Sequence, residues 1–281
     1  MGTKDVGLGV KLSGFTTFRI GGAADGLLRA DTVGAFIGAW RNADFERKLI
    51  LGRGSNVLVS DSGFRGLAII ARFGAVEFFD GYCVAEAGAD MAALSARYYA
   101  AGLGGLEWAC SLPGTVGGAV AGNSGAFGSS VADALLWADV LTDGGLARLG
   151  NSECGFAYRK GVTAGPVIRA AFGCHAADRR TLGETRARYI RRRRDTQPAG
   201  RSAGSFFKAG TKPAGFFIES AGLKGLRVGG AQVSVKHANF IINTGGATAA
   251  DVSALADIIK AEVLVRFGER LEEEIKFIGE F

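Results

Sequence analysis

Residues 48–60 read KLILGRGSNVLVS, an apolar strand that runs through a glycine turn and straight out into a second apolar strand. The order of elements here decides more than the glycines do. A Rossmann fingerprint or a P-loop needs a helix directly after its glycines, because the helix N-terminus holds the phosphate. Val57, Leu58 and Val59 instead fit a strand, so neither common nucleotide motif is present. What remains is a tight turn whose backbone N–H groups are expected to form an anion-binding nest.

A second glycine region, SLPGTVGGAVAGNSGA, occupies residues 111–126 and has too few apolar side chains to build a core of its own. Two such loops in one chain point to one extended ligand lying across both. The 281 residues include 45 glycines and only 4 prolines, with no collagen-like period. Glycine in such clusters marks backbone brought close to something.

Outward from these loops, residues 16–30 (TTFRIGGAADGLLRA) read as a short strand and turn, followed by a helix over 32–43. Further strands are expected at 67–70, 76–79 and 82–87, and across much of 135–172. A helix is predicted from Met91 to Ala101, ending near Gly102, and an arginine-rich helix from Leu182 to Asp195. Thr196–Gly200 is the best linker. Near the C-terminus Thr248 and Asp251 form a capping box. Val252, Leu255, Ile259 and Val263 then line one helix face, Gly268 stops the helix, and 271–279 reads as a closing strand. The sum is a mixed α+β enzyme with a glycine-loop half and a smaller C-terminal half.

Composition excludes several classes. Charged residues make up 21% and hydrophobic ones 48%, as in an ordinary folded protein. No apolar run reaches membrane-spanning length, and MGTKDVGLGV lacks the apolar core of a signal peptide, so a cytoplasmic protein is expected. Cys83, Cys110, Cys154 and Cys174 form no CxxC pair and read as idle thiols, while His175 and His237 lack metal-ligand spacing; no catalytic metal is expected. Much of the +6 net charge comes from Arg191–Arg194, read as the solvated face of a helix, with attraction of a polyanionic nucleotide as the functional alternative.

Seven segments in register carry a resemblance: TTFRIGGAAD (16–25), LGRGSNVLVSDSGFRG (51–66), GLEWACSLPGTVGGAVAGNSGAFG (105–128), FAYR (156–159), AGSFFK (203–208), AGLKG with AQVSVKHANFIIN (221–243) and LEEEIKFIG (271–279). On these the chain resembles the UDP-N-acetylenolpyruvoylglucosamine reductases, the flavoenzymes that make UDP-N-acetylmuramate for the cell wall. The resemblance implies FAD-binding subdomains at 1–75 and 76–195, of the vanillyl-alcohol-oxidase type. It further implies a substrate-binding domain at 196–268 and a tail, 269–281, returning to the active site. It implies non-covalent FAD held by Gly52, Arg53, Gly54, Ser55 and Asn56, and by Pro113, Gly114, Thr115, Gly118, Gly122 and Asn123. The family's catalytic arginine, serine and glutamate map onto Arg159, Ser205 and Glu274, with Glu272 as the neighbour to exclude. NADPH and UDP-N-acetylglucosamine enolpyruvate are the implied partners, with no nucleic acid or membrane, and a monomer is expected.

Three departures from the family pattern stand out: Ala209-Gly210 replaces Asn-Pro after the FK pair, Gly161 stands where a serine is common, and Glu273 replaces a proline. The Arg159–Ser205 interval is also short, as in the branch without the tyrosine loop that folds over substrate. Two rivals predict other behaviour. A flavin oxidase would tether FAD covalently, Cys110 being the residue beside a glycine loop. A basic polyanion-binding protein would use Arg191–Arg194 and carry no flavin.

Overall fold

Along Tyr82–Glu86 the side chains of Cys83 and Ala85 are buried while Tyr82, Val84 and Glu86 are partly exposed, the period of two that a half-buried strand requires. The structure, a computed structural model, describes residues 6–158 and 160–281. Its contacts divide the chain into two units that interleave in sequence. One is built chiefly from Leu28–Gly52 and Ile69–Arg193, the other from Gly7–Leu27, Arg53–Ala68 and Arg194–Phe281.

The first unit centres on a five-stranded antiparallel sheet in the order Gly145–Gly150, Leu135–Thr142, Val167–Gly173, Tyr82–Glu86, Val76–Phe79. Its inner face packs Ala85, Ala138, Val140, Ala170 and Phe172 with Met91, Leu94 and Tyr98 of the helix Met91–Ala100 and with Val116, Ala119 and Val120 of the helix Val116–Ala121. The first of these helices is capped by Asp90, which accepts the Ala93 N–H at 2.8 Å. The fully buried Tyr98 hydroxyl donates to the Phe172 carbonyl at 3.0 Å, so its polar end is satisfied inside the core. The opposite sheet face carries a charge row in which Asp139 lies across from Arg148 on one neighbouring strand and Arg169 on the other. The Asp139 carboxylate accepts from Arg148 at 2.8 and 3.0 Å and from Arg169 at 2.7 Å.

In the second unit Gly7–Lys11 pairs antiparallel with the start of the strand Ala23–Ala30. A three-stranded antiparallel sheet runs Arg227–Val228, Ala231–Val233, Ile241–Asn243. The helix Ala249–Phe267 forms as the capping box and the apolar spacing predict. Thr248 and Asp251 exchange their cap bonds, and Gly268 ends the helix at a φ of 67°. Val252, Leu255, Ile259 and Val263 are fully buried against Phe206, Phe217, Ile218, Val233 and Ile241. Asp61 adds a second cap, its carboxylate accepting the Ala249 and Ala250 N–H groups at 2.9 and 3.0 Å, where the helix dipole favours a negative group. The closing strand is shorter than expected, Lys276–Ile278, and pairs in parallel with Val57–Val59.

The arginine-rich helix spans Arg179–Thr196. Arg191, Arg192 and Arg194 are exposed, as a solvated face requires, but Arg193 is not. Its guanidinium donates to the Ser111 carbonyl, and burial pulls its pKa down. The run is therefore three surface arginines and one inward anchor.

Candidate functional site

Gly52 closes its segment of the first unit, and a Cβ there would stand 2.7 Å from Thr115 Oγ1. The absence of a side chain thus lets the first glycine loop touch the second. In the second unit Gly54 has a φ of 60°, and a Cβ would meet Phe15 O at 2.5 Å and Thr16 Cα at 2.7 Å. The Gly54 carbonyl accepts from both the backbone N–H and the hydroxyl of Thr17. The TTFRIGG stretch is therefore the seat of this turn. Asn56 ties the turn to the C-terminal tail, its carbonyl accepting the Lys276 N–H at 3.0 Å.

In the second loop Thr115 caps the helix Val116–Ala121 through the Gly118 N–H. The Val116 N–H goes to Ala89 O at 2.8 Å and the Gly117 N–H to Ala87 O at 2.9 Å. These opening amides are thus used within the chain by Ala87 and Ala89. Asn123, at a φ of 44°, spends its side chain on protein partners, donating to Ala157 O and accepting from the Ala132 N–H, both at 3.0 Å. Pro113 is exposed and Gly114 takes a φ of 142°.

Arg159 lies outside the described residues. Beside it in sequence, Ala157 and Lys160 exchange two backbone hydrogen bonds of 2.9 and 3.0 Å. Gly161 packs so closely on the end of the helix Val116–Ala121 that a Cβ would strike Val120 O, so the packing calls for glycine there.

Ser205 is half-buried, between Gly204 at a φ of 81° and the fully buried Phe206 and Phe207. The residues after it pair antiparallel with the tail. The Glu274 N–H donates to Phe206 O and the Lys208 N–H to Glu272 O, both at 2.8 Å, and Phe207 lies opposite Glu273. Glu272 pairs with Lys208 at 3.0 Å on the surface, Glu273 pairs with Lys260 of the capped helix at 2.8 Å, and Glu274 is half-buried. Asp257 and Glu273 together push the Lys260 pKa up. Ala209 and Gly210 sit in an exposed loop whose Thr211 is held by Glu269 at 3.0 and 3.1 Å.

Residues 196–278 match the family model described as UDP-N-acetylenolpyruvoylglucosamine reductase, C-terminal domain, and residues 24–150 match an FAD binding domain. The UDP-N-acetylenolpyruvoylglucosamine reductase of Rubrobacter xylanophilus is 41% identical over 95% of this chain and 93% of its own. That of Symbiobacterium thermophilum, numbered 2, is 42% identical over 94% and 89%. The chain belongs to the UDP-N-acetylenolpyruvoylglucosamine reductase family. The crystal structure of the reductase (MurB) from Thermus caldophilus superposes with a TM-score of 0.87 at 33% identity, covering 98% of this chain and 99% of that one.

The chain is thus a flavin-dependent oxidoreductase, α+β in class, with a two-part FAD-binding domain and a smaller C-terminal domain. The second glycine loop fits a flavin nucleotide for a reason visible in its packing. Gly117 is needed internally, since a Cβ would come 2.9 Å from the Ala87 methyl. Gly118 is not: it is exposed, and a Cβ would meet only Thr115 Oγ1 at an ordinary 3.5 Å. A bare backbone that the chain itself does not require is what a closely lying bound group requires. Cys110, beside the loop, is a free, buried thiol whose pKa burial pushes up, the reverse of what covalent flavin attachment needs.

Two residues of consequence escaped the sequence reading. Arg193 carried no signal separating it from its neighbours. Asn239 carried one, a buried asparagine inside the apolar stretch HANFIIN.

Proposed function

We propose that this chain reduces UDP-N-acetylglucosamine enolpyruvate to UDP-N-acetylmuramate, with NADPH as reductant, in the cytoplasmic synthesis of peptidoglycan precursor. Gly52, Arg53, Gly54, Ser55 and Asn56, with Pro113, Gly114, Thr115, Gly118, Gly122 and Asn123, hold FAD without a covalent bond. When bound and reduced by NADPH, FAD would supply a hydride for the β-carbon of the enolpyruvyl group. Addition there develops negative charge at the α-carbon and its carboxylate. The guanidinium of Arg159 meets that charge. Glu274 steadies it, and the Ser205 hydroxyl delivers the proton to the α-carbon.

The observation that carries the catalytic part is the ladder of Phe206 and Lys208 with Glu272 and Glu274. It supports a shared role for two motifs far apart in sequence. Ser205→Ala is the test. Flavin reduction by NADPH is expected at the normal rate, while turnover of the enolpyruvyl substrate falls on the order of 10² to 10⁴. Slow flavin reduction with the substrate step intact overturns the assignment.

A further inference from the structure

Asn239 is buried, at 7% exposure, and commits both ends of its amide to one residue. Its Oδ1 accepts the Phe207 N–H at 2.9 Å and its Nδ2 donates to the Phe207 carbonyl at 2.8 Å. Its own carbonyl accepts the Phe206 N–H at 2.8 Å. The side chain therefore offers Phe207 the acceptor and donor that a neighbouring strand would offer, in a segment where no strand continues. On the other edge of the same segment the Phe206 carbonyl receives the Glu274 N–H, and Lys208 donates to Glu272. Phe206 and Phe207 are each 1% exposed, so their rings are anchored in the core, and what is left to fix is the height and tilt of the peptide that carries Ser205. Asn239 fixes it, and through Phe206 it fixes the Glu274 backbone as well.

We propose that Asn239 is a positioning residue for proton delivery: it locks the Phe206–Phe207 backbone and so sets where the Ser205 hydroxyl and the Glu274 main chain stand. The inference rests on the reading of Ser205 as proton donor. Proton transfer depends steeply on the donor's position, and a displacement of about 1 Å costs up to roughly 10²-fold. Flavin reduction by NADPH makes no use of that position.

The test uses the FAD-loaded full chain and four variants, Asn239→Asp, Asn239→Ala, Ser205→Ala and the double variant Ser205→Ala/Asn239→Asp. Asn239→Asp is nearly isosteric and keeps the acceptor for the Phe207 N–H while removing the donor to its carbonyl. Amide hydrogen exchange at Phe206 and Phe207 is expected to speed up in both single Asn239 variants. The NADPH half-reaction stays within about twofold. Flavin reoxidation by the enolpyruvyl substrate slows about 10- to 10²-fold, with a larger solvent isotope effect. In the Ser205→Ala background the Asn239→Asp change costs clearly less than in the parent, because one of the two groups it positions is gone. A reoxidation rate in Asn239→Asp equal to that of the parent overturns the proposal. So does an equal slowing of both half-reactions, or a full additive loss in the double variant. Should Ser205→Ala reoxidise at the parental rate, the proton-donor reading itself has failed, a result distinct from any of these. If Asn239→Ala does not fold, Asn239→Asp alone decides between the outcomes.

Discussion

Gly118→Ala separates a glycine kept for folding from one kept for a ligand. The position lies inside the helix Val116–Ala121, and the added methyl would meet nothing closer than Thr115 Oγ1 at 3.5 Å. No strain offsets the helix propensity of alanine, so the flavin-free protein gains about 1 kcal/mol. In a chain of this size that raises Tm by about 2–4 °C. The same methyl stands on the surface assigned to FAD, where it holds the cofactor off the backbone. A loss of at least about tenfold in FAD affinity follows, equivalent to about 1.4 kcal/mol. Gly117→Ala is the control: its methyl would press on the Ala87 side chain at 2.9 Å, so the flavin-free protein is destabilised. Thermal melts of flavin-free protein and fluorescence titration with FAD measure both quantities. A Gly118→Ala protein that is more stable and binds FAD as tightly as the parent refutes the assignment of this surface.

Other expectations follow from the charge network and the buried ring. Asp139→Asn loses the negative charge and one of the two acceptor oxygens that meet two arginines, and is expected to cost about 2 kcal/mol at neutral pH once the half-exposed arginines are allowed for. Burial alone would raise the Asp139 pKa, but the Arg148 and Arg169 hydrogen bonds and charges hold it below the ordinary value. That stabilisation is present above the unfolded carboxyl pKa and is lost as pH falls through the folded one, so the melting difference from the parent shrinks in acid. His237 is held neutral by burial, with Lys224 adding to the effect, so its pKa lies below the usual value, and its Nδ1 accepts the Asn239 N–H at 3.2 Å. The unfolded chain then takes up this proton first, and Tm is expected to decline as pH drops below about 6.5; His237→Gln flattens that part of the profile. Lys260→Met breaks the pairs with Asp257 and Glu273 at a cost of up to about 1 kcal/mol, less at high salt, read as a small fall in Tm.

Local signals were legible in the chain and distant ones were not. Thr248, Asp251 and Gly268 announce a helix because a cap is satisfied by residues three positions away. The loop at 52–56 is readable because strand, glycine and strand follow one another directly. The parallel pairing of Lys276–Ile278 with Val57–Val59 leaves no such trace, since its partners meet only in the folded chain. The three consecutive glutamates at 272–274 look alike in sequence. They are told apart by Lys208 and Lys260, which the fold delivers from a loop and a helix. Arg193 likewise differs from Arg192 only in which side of its helix it occupies, and the Ser111 carbonyl it meets lies in the second glycine region.

The most direct measurement is NADPH oxidation by purified, FAD-loaded protein with and without UDP-N-acetylglucosamine enolpyruvate, followed alongside the visible flavin spectrum. Flavin bands with oxidation that depends on the enolpyruvyl substrate and yields UDP-N-acetylmuramate are the predicted result. Folded protein that takes up no flavin, or oxidation that depends only on oxygen and ignores the substrate, would contradict the account.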